Sequence, residues 1–136
     1  MKEPIVEENH LKKLHILIVD DMPFMQTFIL RCLKTMFPSC ICDAVSDGKS
    51  AIEKLRSKSF SIVLCDWELP DLKGDEILRW VREESAVKDI PFIMVTANYN
   101  KESIKKVISL GVTDYVIKPI NCEILTRKIH SALRPA

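Results

Sequence analysis

The sequence predicts an α/β fold: one domain built on a parallel β-sheet with helices on both faces. Three observations lead there. Five short apolar runs, HILIV, CICDAV, SIVLC, PFIMV and TDYVI, have the length of strands, and three of them are continuously apolar, as strands buried on both faces are. After each run, apolar residues return at three- and four-residue spacing, the period of a helix packed on one side. Strand and helix alternate along the whole chain, which implies right-handed crossovers between parallel strands. With 136 residues, the chain can build one such core but not two.

Residues 1–13 are polar and charged, carry Pro4, and show little periodicity. They are expected to form a flexible N-terminal tail, with the domain spanning residues 14–134 and no second domain after it. His15 to Val19 is the first strand and ends at Asp20-Asp21. Met25, Phe28, Ile29, Cys32 and Met36 mark the inner face of the first helix, which Pro38 stops. Cys40 to Val45 is the second strand. Asp47-Gly48 is turn chemistry, and Ala51, Ile52 and Leu55 define a short second helix. Ser61 to Cys65 is the third strand and delivers Asp66. Pro70 to Gly74 reads as a loop, and Ile77, Leu78 and Val81 place a third helix over residues 75–84. Pro91 to Val95 is the fourth strand, ending at Thr96. Ile104, Val107 and Ile108 mark the fourth helix, closed by Gly111 as a C-terminal cap. Thr113 to Ile117 is the fifth strand and leads to Lys118-Pro119. Asn121 caps a last helix that turns Ile124, Leu125, Ile129 and Leu133 inward.

Composition narrows the function classes. Hydrophobic residues at 47% and charged residues at 29% are ordinary for a globular domain. A net charge of +1 argues against a general nucleic-acid or membrane-binding surface. No apolar stretch approaches the roughly 20 residues that cross a bilayer, and the N-terminus lacks a signal-type hydrophobic segment. The cytoplasm is the expected location. The five cysteines, Cys32, Cys40, Cys42, Cys65 and Cys122, are odd in number and scattered. They are expected to be free thiols acting as small apolar side chains in a reducing compartment. Alternation would turn Cys40 and Cys42 to one face, but no second Cys or His pair completes a four-ligand metal site.

The polar residues at the strand ends carry the chemistry. In a parallel α/β sheet the carboxyl ends of the strands share one edge, and ligands bind in the crevice there. Asp20, Asp21, Asp66, Thr96 and Lys118 all fall at such ends. Three converging carboxylates would repel one another and raise their own pKa values unless a cation lies among them. Oxygen ligands suit Mg²⁺, which takes few ligands from the protein and fills the rest with water and phosphate oxygens. A hydroxyl and an ammonium suit a phosphoryl group. Asp66 is then a candidate carboxylate nucleophile toward phosphorus.

These residues lie in the words ILIVDD (16–21), VLCDWELPDLKGDEIL (63–78), PFIMVTA (91–97) and DYVIKP (114–119). In that order and spacing the sequence resembles the receiver domain of two-component response regulators, across about residues 14–133. The resemblance implies a flavodoxin-like, doubly wound five-stranded sheet of order 2-1-3-4-5 with five helices. It also implies Asp66 as the phospho-acceptor. Asp21 and Asp66 would ligate Mg²⁺ (or Mn²⁺) directly, Asp20 would act mainly through water, and the backbone carbonyl of Glu68 would add a ligand. Thr96 and Lys118 would contact phosphoryl oxygens, and Thr96 with Tyr115 would form the switch. A cis peptide is implied at Lys118-Pro119. Glu68 and Asn98 stand at the two positions that influence phosphoryl lifetime.

The implied partners are a histidine kinase or phosphotransfer protein upstream and a target protein downstream, with no direct nucleic acid or membrane contact. Catalysis would be limited to the domain's own phosphorylation and dephosphorylation. Output would be a change of partner binding through the face made by the fourth helix, fifth strand and fifth helix. Three other readings stay open on the residues alone. One is the N-terminal piece of a longer regulator with an output domain. Another is an aspartyl-nucleophile phosphatase of the haloacid dehalogenase type, although Glu68 stands where its second Asp belongs. The last is a flavodoxin-like electron carrier, which lacks the phosphate loop after the first strand.

Overall fold

The computed structural model describes residues 13–97 and 100–134. Five strands alternate with five helices: β1 (His15–Val19), α1 (Pro23–Met36), β2 (Ile41–Val45), α2 (Gly48–Ser57), β3 (Ile62–Asp66), α3 (Gly74–Glu83), β4 (Phe92–Thr96), α4 (Lys101–Ser109), β5 (Asp114–Ile117) and α5 (Cys122–Leu133). All pairings are parallel, and the order is β2-β1-β3-β4-β5. This is the doubly wound architecture that the alternation of apolar runs predicts.

Period-two alternation splits each central strand between two cores. Leu17, Val19, Val63, Cys65, Phe92 and Met94 face one side, where α2, α3 and α4 bury Leu55, Ile77, Leu78, Val81 and Val107. Ile16, Ile18, Ile62, Leu64, Ile93 and Val95 face the other, against Ile29 and Leu33 of α1 and Leu125 and Ile129 of α5. Both sheet faces are therefore dry, and β3 and β4 are buried along their full lengths. With about 1.5–3 kcal/mol per fully buried aliphatic side chain, these two layers are the main stabilising term. They hold the strand ends fixed.

Four details depart from the sequence expectations. Met36 is 37% exposed and ends α1, while Phe37, at 0%, fills the core instead. Ile108 and Ile124 are exposed at 59% and 41%. Each sits one residue, about 100° of helix, from a fully packed neighbour, Val107 or Leu125. β3 and β4 each run one residue later than the apolar runs 61–65 and 91–95 that mark them, so Asp66 and Thr96 are their last residues. Cys32 and Cys122 are joined as a disulfide, leaving Cys40, Cys42 and Cys65 as free thiols. α1 and α5 lie side by side and bring the two Cα atoms to 5.5 Å across a separation of 90 residues. No local spacing announces a pairing over that distance.

The helix termini follow the capping rules. Asp47 accepts from Ser50 N at 2.7 Å, so Asp47-Gly48 opens α2 rather than forming a free turn. Asn100 and Asn121 cap α4 and α5 in the same way. Gly111, at φ +92°, takes the left-handed position after α4 that a side chain would resist. A second acid also serves α2. Asp71, from the loop after β3, accepts from Gly48 N at 2.7 Å and Lys49 N at 2.9 Å. Slight burial tends to raise its carboxyl, but these amide hydrogen bonds outweigh that and hold it below the ordinary carboxylate value.

A depressed folded-state pKa stabilises the fold above the unfolded value, near 3.9, and that contribution fades as pH falls through the folded value. Asp71→Asn is therefore expected to lower Tm at pH 7, with the gap to wild type shrinking below about pH 4. Thermal melts across pH 3–7 check this; a gap that stays constant would show that the charge of Asp71 is immaterial.

Candidate phosphoryl-acceptor site

The sheet places four strand ends around one cleft. β1 and β3 are neighbours at the centre, and the chain leaves them toward opposite faces, so a crevice opens between their carboxyl ends. Asp20 follows β1 directly, and Asp66 closes β3. Carboxylate oxygens of Asp20, Asp21 and Asp66 all lie within 4.8 Å of one another. Asp20 and Asp66 are buried, at 1% and 7% exposure, whereas Asp21 stands exposed at the rim. Thr96, the last residue of β4, is also buried.

Lys118 enters from the end of β5. Its Nζ donates to Asp20 Oδ2 and to Asp66 Oδ2, both at 3.1 Å. One ammonium thus bridges two buried acids that are 46 residues apart in sequence. The remaining oxygens are held by the backbone: Asp20 Oδ1 accepts from Met22 N at 2.9 Å, and Asp66 Oδ1 from Trp67 N at 2.7 Å. Burial still pushes the Asp66 carboxyl up, and the Asp20 charge adds to that; Lys118 and the Trp67 amide offset it only in part. Burial works against the Lys118 ammonium, but its two acidic partners outweigh it and raise its pKa. The cleft therefore carries more negative charge than its one lysine relieves. Three oxygen donors with unrelieved charge fit a hard divalent cation.

The other expected site residues are distributed around this cluster. Glu68 is exposed on the loop after β3 and pairs with Lys73 at 3.1 Å. The Lys118–Pro119 peptide is cis. Tyr115 is half-buried on β5, packed against the helix-α2 side core, with Lys128 Nζ 5.2 Å from its ring centroid and 2.7 Å from its carbonyl oxygen. Asn98 lies outside the described residues.

Two contributors escaped the sequence reading. Gln26 of α1 donates to the Asp20 carbonyl at 2.6 Å and to Val45 O at 3.1 Å, clamping the end of β1. A lone Gln on a helix gives no signal of this. Gly74 lies directly beneath Asp66: a Cβ there would strike the Asp66 carbonyl and come within 2.9 Å of Trp67 Cα. The glycine was visible as punctuation before a helix, but its close backbone approach to Asp66 is a tertiary fact.

Comparison with known proteins agrees with this geometry. Residues 16–130 match the model of the response regulator receiver domain. The chain belongs to that family. It is 35% identical over 114 residues to chemotaxis protein CheY of Pseudomonas aeruginosa, covering 84% of this chain and 91% of that protein. It is 30% identical over 118 residues to CheY-3 of Vibrio cholerae, covering 87% of this chain and 90% of the relative. A CheY-like receiver domain protein from Methanospirillum hungatei superposes with a TM-score of 0.82 at 26% identity, covering 90% of this chain and 94% of that one. This receiver is thus a homologue of the CheY chemotaxis regulators and a module of two-component signalling. Receiver domains as a class bind Mg²⁺, and the acidic cluster here fits that ion.

Gly74→Ala is expected to push the loop after β3 off the Asp66 backbone, costing about 1–3 kcal/mol as overpacking does. Denaturant unfolding should show the loss, together with weaker Mg²⁺ binding. Wild-type stability in this variant would mean that the loop yields freely.

Proposed function

We propose that this receiver accepts a phosphoryl group on Asp66 from a histidine kinase or phosphotransfer protein and reports it by changing which protein it binds. The observation that carries the reading is the Lys118 bridge across two buried acids beside an exposed third. An Asp66 oxygen would attack the phosphorus of a phosphohistidine as the P–N bond breaks, leaving a free imidazole and an aspartyl-phosphate. Lys118 would then exchange its Asp66 contact for a phosphoryl oxygen. Thr96, buried at the end of β4, would supply a hydroxyl donor to another. Asp21, Asp66 and the Glu68 carbonyl would hold Mg²⁺ (or Mn²⁺), with Asp20 acting mainly through water. When bound, the ion supplies positive charge against the phosphoryl oxygens. Glu68 and Asn98 would tune how long the phosphoryl group survives.

The switch would run through Thr96 and Tyr115 to the face formed by α4, β5 and α5. Phosphorylation adds a charge of about −1.5 to −2 and three acceptor oxygens. Shifting a two-state equilibrium from 1:99 to 99:1 needs about 5.5 kcal/mol of differential interaction. Charged hydrogen bonds at about 1.5–3 kcal/mol each reach that with about two to four contacts. Residues 14–134 would act as a single receiver in the cytoplasm, with residues 1–13 as a tail and output through a bound target protein. The curated relatives are of nearly the same length and are chemotaxis proteins, which favours a motility or relay target. No helix among the described residues is long and apolar enough to cross a membrane.

Two outcomes test this. In Mg²⁺ with a small acyl-phosphate donor, wild type is expected to take up one phosphoryl group, and Asp66→Asn none, as read by intact mass. Undiminished labelling of the variant would remove Asp66 from its role. Trp67 adjoins Asp66 and donates its amide to that carboxylate, so its fluorescence is expected to change on Mg²⁺ addition. The titration is best read in a Trp80→Phe background, because Trp80 is the second of the two tryptophans. A flat response there would count against the metal site.

A further inference from the structure

We propose that Gln26 is a positioning residue for the divalent cation. Its neutral amide fixes the Asp20–Asp21 peptide, and through it the Asp21 carboxylate, without adding a charge that competes with the ion. This rests on the reading of Asp20, Asp21 and Asp66 as the Mg²⁺ site. Gln26 lies one turn into α1, and helical side chains tilt back toward the N-terminus. From there Gln26 Nε2 donates to the Asp20 carbonyl at 2.6 Å and to Val45 O at 3.1 Å, with Ser46 Oγ at 3.3 Å. One side-chain amide thus meets the chain leaving β1 and the last residue of β2.

A trans peptide is planar, so the direction of the Asp20 carbonyl also sets the N–H and Cα of Asp21. The flanking atoms are anchored. Asp20 N donates to Val45 O at 3.1 Å, and Asp20 Oδ1 accepts from Met22 N at 2.9 Å. Pro23 restricts Met22 to the extended conformation it adopts, with φ −99° and ψ 115°. Asp20 and Asp66 are further tied by Lys118. Asp21 is different: it is exposed, and its carboxylate makes no hydrogen bond or ion pair among the described residues. The fold aims it through its backbone, and Gln26 holds that backbone. The residue type matters as well. A lysine or arginine would offer donors too, but its charge would oppose the incoming cation, and Lys118 already brings one ammonium to the cleft. An amide gives two N–H donors and no charge.

The test combines two readouts on the full chain. Without metal, the NMR order parameter of the Asp21 amide is expected near about 0.85 in wild type and below about 0.6 in Gln26→Met. In Mg²⁺ titrations read by Trp67 fluorescence in the Trp80→Phe background, Gln26→Met should weaken binding about tenfold or more, as loss of a hydrogen bond that orients a ligand does. In an Asp21→Asn background the same substitution should add less than about twofold, because the carboxylate it positions is gone. Gln26→Arg keeps donors, so it should keep the order parameter but bind Mg²⁺ more weakly at low salt, with the gap narrowing as ionic strength rises. Unchanged Mg²⁺ affinity in Gln26→Met, an equal loss with and without the Asp21 carboxylate, or wild-type Mg²⁺ affinity in Gln26→Arg at low salt would each overturn the proposal. A lower Tm without these shifts would mark a merely structural clamp and overturn it as well. Asp21→Asn binding Mg²⁺ as tightly as wild type would instead remove the metal reading, and the proposal with it.

Discussion

The whole structure is organised around a repulsion that it does not remove. Three carboxylates are held with oxygens within 4.8 Å of each other, and two of them are buried. Burial and the neighbouring Asp20 charge push the Asp66 carboxyl up, and solvent at the rim screens the exposed Asp21. Lys118 bridges the two buried members and compensates a single charge. Such crowding persists only if the backbone beneath it cannot relax. The two dry cores on either side of the sheet provide that rigidity, because moving a strand end would disturb close-packed side chains on both faces.

The loops around the cleft extend this constraint. Gln26 fastens the Asp20 carbonyl to the end of β2 through Val45, so the two-acid turn is braced from α1. Asp71 caps α2 from the loop after β3, and Gly74 lets that loop pass against the Asp66 backbone. The Asp71 contacts join the segments that follow β2 and β3, the two strands that flank β1. Asp66 is thus held by backbone hydrogen bonds and steric contact as well as by charge, which leaves Lys118 as the member of the cluster on a flexible side chain.

Much of this was legible in the sequence, because burial on two faces writes itself as uninterrupted apolar runs. HILIV, SIVLC and PFIMV carry that pattern, and the acids and lysine at their ends follow from the parallel topology. Helix faces were read less well. Ile108 and Ile124 look like core residues in a periodicity count, but a helix over a narrow sheet edge buries only a thin stripe, and each falls one step outside it. The Cys32–Cys122 pairing, the Gln26 clamp and the Gly74 approach were not readable, since each depends on the meeting of segments far apart in the chain. The sharing of Lys118 between Asp20 and Asp66 belongs with them.

The same chain segment that neutralises the cleft also leads to the distal face. Lys118 follows β5 directly, and β5 carries Tyr115, whose carbonyl and ring both meet Lys128 of α5. Lys128 also pairs with Asp114 at 3.0 Å, so α5 grips β5 at two successive residues. On the other flank, Lys106 of α4 pairs with the buried Asp75 of α3 at 2.7 Å, tying α4 to the helix that begins beneath Asp66. A phosphoryl group that drew Lys118 away from Asp20 and Asp66 would change the charge balance at the end of β5, the strand whose first two residues α5 holds, while α4 is tied to α3. Because their contacts are discrete ion pairs over packed cores, the response would be a choice between two arrangements rather than a graded bend.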